Sequence, residues 1–333
     1  MDSFVQSGLS RRSAFRLGAT VAGAAALGSG ALTPASAFAA VPTSPMFDIG
    51  ATPVHLFGPK MLHESHHGMQ GFTFDDVNRR LFIVQALNGG SGADLVVNQV
   101  SASGAVLGSM VVEGAGHGVS IAAEASGDTT YIWIECDADI NTSAGRGTAL
   151  ARVQFKDTVR KDIVDTAKCF QGSDTITAAV DPVNNRLMVR RREGTNRDWY
   201  LSVWSLDTAR AGRTEDRLVH VLQPIPDPAE TFQGYTFYGQ YAYMFYGDGQ
   251  TDPDNINSKI RCVDLNNVDS HNVAQFVGSA GLTTAGSSLV YREPEGMAVH
   301  RMDSGRLGLF FGFASRSSSG GDNRYANLYY KLL

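Results

Sequence analysis

Residues 70–85 read QGFTFDDVNRRLFIVQ. Phe72 and Phe74 alternate with smaller or polar neighbours, Asp75 to Arg80 is a polar turn, and Leu81 to Val84 is unbroken apolar sequence. Alternation marks a strand with one covered face and the apolar run a strand covered on both, so the stretch predicts a β-hairpin. DLVVNQV (94–100) and VLGSMVV (106–112) supply two further strands, making four short strands between Gln70 and Val112.

The pattern then restarts. HGVSIAAEASGDTTYIWIE begins at His117, TAAVDPVNNRLMVRR at Thr177, QGYTFYGQYAYMFYG at Gln233 and EGMAVHRMDSGRLGLFFGF at Glu295. Third strands follow in LARVQF, YLSVWSL, KIRCVDL and ANLYYKLL. Units of roughly 50 to 60 residues, each with about four short strands, are the pattern of a β-propeller. Five units predict an all-β, five-bladed propeller over residues 46–333. The last unit ends after its third strand, and TPVHLF (52–57) is expected to supply the fourth, closing the ring and covering an open sheet edge. Each unit opens on a polar residue followed by glycine or alanine. Innermost strands converge on the axis, where a Cβ would collide. Gln70, His117, Thr177, Gln233 and Glu295 are therefore expected to ring the mouth of a central channel.

Composition agrees with an ordered β protein. Of 333 residues 43% are hydrophobic and 18% charged, 36 are glycine, and the net charge is −5, which argues against a nucleic-acid partner. Cys136, Cys169 and Cys262 are too few and too far apart for a disulfide framework or a zinc cluster; they read as small buried hydrophobes with at most one bridge. At the N-terminus, Arg11 and Arg12 precede an Ala/Gly-rich stretch that ends in Ala37-Phe38-Ala39. This pattern predicts a twin-arginine export signal over residues 1–39, too short and too rich in small residues for a membrane anchor, and so a secreted protein.

Just before the first repeat, HESHH (63–67) satisfies H-E-x-x-H, in which two histidines one helical turn apart bind zinc. That chemistry needs a helix of several turns and a third ligand. Here Gly68 follows at once and a strand starts by Gln70, so the match reads as coincidence. His63, His66 and His67 are expected on the rim of the mouth instead.

Other residues carry chemistry if the ring is a site. His117, between glycines, is suited to donate to a phosphate or to act as acid or base. Glu293 and Glu295 flank Pro294, and alternation puts both carboxylates on one side, for sugar hydroxyls or for glycoside hydrolysis. Arg190 and Arg191 within RRR (190–192), and Arg292, are candidates for phosphate or carboxylate. Tyr235, with Tyr238 and Tyr291, is placed to stack on sugars. DGQTDPDN (248–255) offers carboxylates for calcium but lacks EF-hand spacing, so no metal or other cofactor is expected.

Taken together, MQGFTFDDVNRRLFIVQ, GHGVSIAAE with TYIWIE, FQGYTFYGQYAYMFYG, and YREPEGMAVH with GLFFGF resemble the propeller domain shared by staphylococcal phage receptor-binding proteins and the TagC-like proteins, usually labelled teichoic acid biosynthesis protein C. The resemblance covers Met46 to Leu333. It implies a five-bladed propeller and, from the phage members, recognition of wall teichoic acid on Gram-positive cells. Relative to the phage proteins, this chain is expected to lack their stem and accessory domains and to carry an export signal. The expected function is a secreted, monomeric, cell-wall-associated propeller. It binds an anionic, teichoic-acid-like glycopolymer at its mouth through the polar ring and Arg190, Arg191 or Arg292. The alternative is a polysaccharide lyase or glycoside hydrolase using His117 and Glu295 as acid and base.

Overall fold

The computed structural model describes residues 41–87, 94–138, 145–164 and 166–333; the twin-arginine segment lies outside them. Every apolar run identified above forms a strand. Blade 1 contains β2 (Met69–Asp75), β3 (Arg80–Ala86), β4 (Asp94–Val100) and β5 (Val106–Glu113), and blade 2 contains β6 (Ala122–Ser126), β7 (Thr129–Ala138), β8 (Gly147–Gln154) and β10 (Lys168–Phe170). Blade 3 contains β11 (Ile176–Asp181), β12 (Arg186–Glu193), β13 (Asp198–Ser205) and β14 (Val219–Leu222). Blade 4 contains β15 (Phe232–Tyr238), β16 (Tyr241–Tyr246), β17 (Lys259–Val268) and β18 (Ala274–Gly281). Blade 5 contains β19 (Val290–Arg301), β20 (Leu307–Arg316), β21 (Arg324–Leu332) and, outermost, β1 (Val54–Lys60).

Within these four-stranded arrangements all pairings are antiparallel; a short β9 (Arg160–Asp162) adds to the edge of β5 in parallel. β1 pairs with β21, Val54 opposite Tyr330 and Lys60 opposite Ala326, so the ring is closed by a strand from the opposite end of the propeller sequence. The fold begins before that strand. Val41 and Phe47 are buried against blade 4, where the Phe47 amide donates to the Tyr243 hydroxyl (2.9 Å) and the Val41 amide to Asn266 Oδ1 (3.2 Å).

Second strands are buried on both faces because each is sandwiched between neighbouring blades. That is why LFIVQA, AYMFY and LGLFFGFA are nearly unbroken apolar runs. The core is accordingly five hydrophobic clusters, one at each blade–blade interface. The turns after two of the inner strands add polar clamps. Asp75 accepts from the Val77 and Asn78 amides at 3.1 and 3.0 Å and from Thr130 of blade 2. Asp181 accepts likewise from Val183 and Asn184 and from the Gly239 amide of blade 4 (2.8 Å). Each is an Asx turn whose spare oxygen holds the next blade. Cys136, Cys169 and Cys262 are free thiols; the first and last are buried, and Cys169 is half-buried.

The inner strands touch in a closed cycle, β2 to β6, β11, β15, β19 and back to β2. At the centre, glycines allow backbone to meet backbone. A Cβ on Gly71 would stand 2.6 Å from the Gly118 carbonyl oxygen, and one on Gly296 would stand 2.7 Å from the Gly71 Cα. Gly296 also has φ +78°, which an L side chain tolerates poorly. Gly305 has nearly the same φ, +80°, in a turn where a Cβ would meet nothing. Gly305→Ala should therefore cost about 1 kcal/mol from conformation alone, whereas Gly296→Ala should cost at least about 2 kcal/mol because the ring must also spread. Equal losses in thermal or urea unfolding would mean that axial contact contributes nothing.

Candidate functional site

Inner strands begin, and second strands end, on one face of the ring. Between blades 5 and 1 that face holds a cavity of about 270 Å³. Its walls come from the start of β2 (Gln70), the end of β3 (Ala86), and β19, β20 and β21 (Tyr291, Glu293, Glu295, Ala314, Arg316 and Arg324). His66, His67 and Gly68 form one rim, and His117 and Gln233 reach in from blades 2 and 4. Four of the five residues expected at a channel mouth, Gln70, His117, Gln233 and Glu295, thus line one cavity. Thr177 is buried and does not line the cavity.

The HESHH segment is a tight turn, with the His67 amide donating to the Glu64 carbonyl (3.4 Å). Buried Gln85 fixes it from below: its Nε2 donates to the carbonyls of Glu64 (2.7 Å) and His67 (2.5 Å), and its Oε1 accepts from the Glu64 amide (3.1 Å). Asn98 Oδ1 takes the His63 amide (3.1 Å). With its backbone committed to these side chains the segment has no helical ladder, and no cluster of three metal-ligating side chains exists among the described residues. His63 turns outward to Ser109 (3.3 Å) and leaves the rim to His66 and His67.

His117 does not open its strand, contrary to the spacing; β6 starts at Ala122. The chain from Gly114 to Ile121 is irregular because Gly114 and Gly118 take left-handed φ (+77° and +90°) and because Glu135 draws it inward. Glu135 is fully buried, and its two oxygens accept from the Gly118 and Gly147 amides, both at 2.6 Å. A side chain at Gly116 would occupy the Glu135 carboxylate's place. Glu135 is therefore what positions His117.

Glu295 is the most buried titratable group of the cavity, 3% exposed, with Oε1 accepting from Gln70 Nε2 (3.3 Å) and Oε2 without a partner. Burial raises its carboxyl well above the usual carboxylate range; the nearby Glu293 charge adds to this and Arg146 opposes it. Glu293 is also raised, first by burial, against the opposing pull of a hydrogen bond from Tyr291 and the charges of Arg316 and Arg324. Tyr291 sits at φ +54°, an uncommon strain for an aromatic residue, and its ring lies 4.1 Å beneath the Arg316 guanidinium. Arg316 and Arg324 face each other directly across β20 and β21, and among the described residues neither has a carboxylate within ion-pair distance. Like charges at opposed positions destabilise a sheet. Arg316 Nε is moreover buried without a partner. The charged group that both arginines act on is the Glu293 carboxyl, and Arg324 Nη1 also donates to the Gly321 carbonyl (3.1 Å).

The remaining predicted residues lie elsewhere. Arg292 is buried and spends its guanidinium on the carbonyls of Ala285 and Leu282 (2.6 Å each) and on Ser258 Oγ (2.5 Å), which fixes the 282–285 loop. Arg190 is buried between the rings of Trp199 and Phe232 (3.5 and 3.7 Å) with Nε donating to Gln223 (2.7 Å), and burial lowers its pKa to about 9. Tyr235 is a strut: its hydroxyl lies 3.0 Å from the carbonyls of Thr177 and Met188 and accepts from the Arg190 amide (3.1 Å). Arg191 pairs with Glu193 (2.6 Å) on blade 3. Sequence reasoning missed Arg316 and Arg324, although Arg316 closes the second strand of its blade as RRR (190–192) does in blade 3.

The Glu295 environment generates a test. In the unfolded chain a glutamate titrates near about 4.3. The folded form holds its proton to higher pH, so stability present below that value is lost as pH rises toward the folded pKa. Glu295→Gln removes this loss while keeping a hydrogen-bonding side chain. Urea unfolding should find the variant more stable than wild type at pH 8, with the difference shrinking toward pH 4. A pH-independent difference would show that Glu295 is not held neutral.

Residues 68–330 match the family model described as the phage 5-bladed beta propeller receptor binding platform domain. In sequence the chain is 26% identical over 277 residues to "Putative major teichoic acid biosynthesis protein C" of Bacillus subtilis (strain 168); the alignment covers 78% of this chain and 58% of that protein's length. Among solved structures, a thermostable family-43 glycoside hydrolase aligns over 80% of this chain and 93% of its own (TM-score 0.46, 11% identity). A xylan β-1,4-xylosidase from Bacillus halodurans C-125 aligns over 81% of this chain and 54% of its own (TM-score 0.43, 10% identity). Likeness at that level assigns no activity. The sequence match spans all five blades, and the chain belongs to the phage five-bladed β-propeller receptor-binding platform family.

Proposed function

We propose that this protein binds an anionic glycopolymer of the teichoic-acid kind, with one phosphorylated repeat seated in the cavity between blades 5 and 1. The carrying observation is the opposed Arg316 and Arg324 pair, held beside Tyr291 with no ion pair within 4 Å among the described residues and with the nearby Glu293 carboxyl shifted toward its neutral form by burial. Guanidinium groups take phosphate oxygens in bidentate fashion. Gln70, Gln233 and His117 line the same space and supply donors and acceptors for hydroxyls. Burial shifts Glu295 toward its protonated form, which repels a phosphate less and can donate a hydrogen bond. A volume of about 270 Å³ is at the small end for ligand pockets, which suits one sugar- or polyol-phosphate unit. The family's description as a receptor-binding platform and the name of the Bacillus subtilis relative support the same reading. The twin-arginine pattern around Arg11 and Arg12 supports action outside the cell membrane. No helix among the described residues is long and apolar enough to cross a membrane.

A second reading, cleavage of the glycan, has one observation in its favour. Glu295 has the protonated character of a general acid and lies beside a second carboxyl, Glu293. His117 would then serve as the assisting base.

Calorimetric titration with purified poly(glycerol phosphate) should give binding that weakens as salt increases and as pH rises through the titration of Glu293 and Glu295. Arg316→Gln with Arg324→Gln should lower affinity at least about tenfold. Equal binding of uncharged dextran, or affinity indifferent to salt, would overturn the proposal. Release of short products, abolished by Glu295→Gln, would establish the cleavage reading in its place.

A further inference from the structure

The cavity is not the only cationic feature of its face. In blade 3, β12 ends where β11 begins, with Arg191 opposite Ile176, just as β20 of blade 5 ends with Arg316 opposite Val290. The ends of these second strands therefore open on the same side of the ring. At the blade 3 position lies another cavity, of about 260 Å³, walled by Gln171, Gly172, Arg191, Arg192, Glu193 and Gly194. Around it four arginines share two carboxylates: Arg192 (3.5 Å) and Arg197 pair with Asp174, and Arg191 (2.6 Å) and Arg217 (3.9 Å) with Glu193. His220 also faces Glu193 at 3.9 Å. The cluster keeps an excess of positive charge, and Nε of both Arg192 and Arg217 is buried without a hydrogen-bond partner, as is Asp174 Oδ1.

A further arginine acts on groups of both blades 5 and 3. Arg146, at the foot of β8 in blade 2, acts through its charge on Glu295 in the first cavity and on Arg190 in blade 3. It is half-buried and forms no ion pair with any described residue. Arginines thus gather at the strand ends of blade 5 (Arg316 and Arg324) and of blade 3 (Arg191 and Arg192), with Arg146 acting on groups of both blades, in a protein whose net charge is −5. Concentrating cations on one face of an acidic protein favours a ligand whose negative charges recur along its length.

We propose that these arginines form one binding track, so that the protein holds several consecutive repeats of a polyanion: one in the cavity between blades 5 and 1, and later phosphates on Arg146 and the blade 3 cluster. The inference rests on the polymer-binding reading above and adds to it a dependence on chain length. A second contact on the same chain engages at high effective concentration, so the polymer gains affinity that a single repeat cannot have. Each phosphate engaged also steepens the dependence on salt.

Two probes separate the claims: sn-glycerol 3-phosphate as a single repeat, and poly(glycerol phosphate) of about 20 units as the chain. Wild type should bind the chain more tightly per molecule than its number of repeats explains. Arg191→Gln with Arg192→Gln should weaken chain binding about fivefold to tenfold and flatten its salt dependence while leaving glycerol phosphate affinity unchanged. Arg197→Glu, at an exposed position unconnected with blade packing, should act in the same direction and guards against misfolding of the double variant. Chain affinity and salt dependence unchanged in both variants would overturn the track while leaving the cavity reading intact. Binding of neither probe by wild type would overturn both.

Discussion

Contact between Gly71 and Gly296 at the axis is the constraint on which the rest depends. With no Cβ on either residue, blades 1 and 5 approach until backbone meets backbone, and the Gly118 and Val119 carbonyls complete the contact from blade 2. The centre is therefore filled by main chain. A residue one position before such a glycine cannot point down an open channel and must turn to the face above it. This is how Gln70 and Glu295, far apart in sequence, come within 3.3 Å of one another. The same closeness denies Glu295 water, and loss of water, more than any charged neighbour, changes its protonation.

Burial shapes the cavity's electrostatics in two opposite ways. A carboxyl can escape the cost of burial by taking a proton, and Glu293 and Glu295 shift in that direction. A guanidinium retains its charge under ordinary conditions, so it must either be saturated by neutral acceptors or wait for an anion. The fold has both outcomes. Arg292 donates to two carbonyls and a hydroxyl, and Arg190 lies between two aromatic rings with an amide oxygen at its Nε; each has become part of the packing. Arg316 and Arg324 have a tyrosine beneath them and one another alongside; Arg324 donates to the Gly321 carbonyl (3.1 Å), and Arg316 Nε is left without an acceptor.

The fold was legible because its signal is local and repeated. Alternation in QGFTFD and QGYTFY, turns such as DDVN and DPVN, and doubly covered runs such as LFIV and LFFGF each reflect one blade's burial, and five recurrences leave little freedom in how they assemble. The site was legible in part, and for the same reason. Gln70, Gln233 and Glu295 sit at fixed places in the repeat, so the pattern that predicts the blade also predicts the side chain's face. His117 was found despite a misplaced strand start, because Glu135 holds its irregular segment over the cavity.

What stayed hidden was the role of each arginine. Arg190, Arg292, Arg316 and Arg324 all lie near the ends of strands, and nothing in their immediate neighbours separates them. Their difference is set by distant groups. The Leu282 and Ala285 carbonyls happen to turn toward Arg292, and Trp199 and Phe232, from two blades, close on Arg190. No comparable acceptor reaches Arg316 Nε. Hydrogen-bond saturation is a property of tertiary structure. It turns one strand-end arginine into a strut and leaves another with a buried donor unmet.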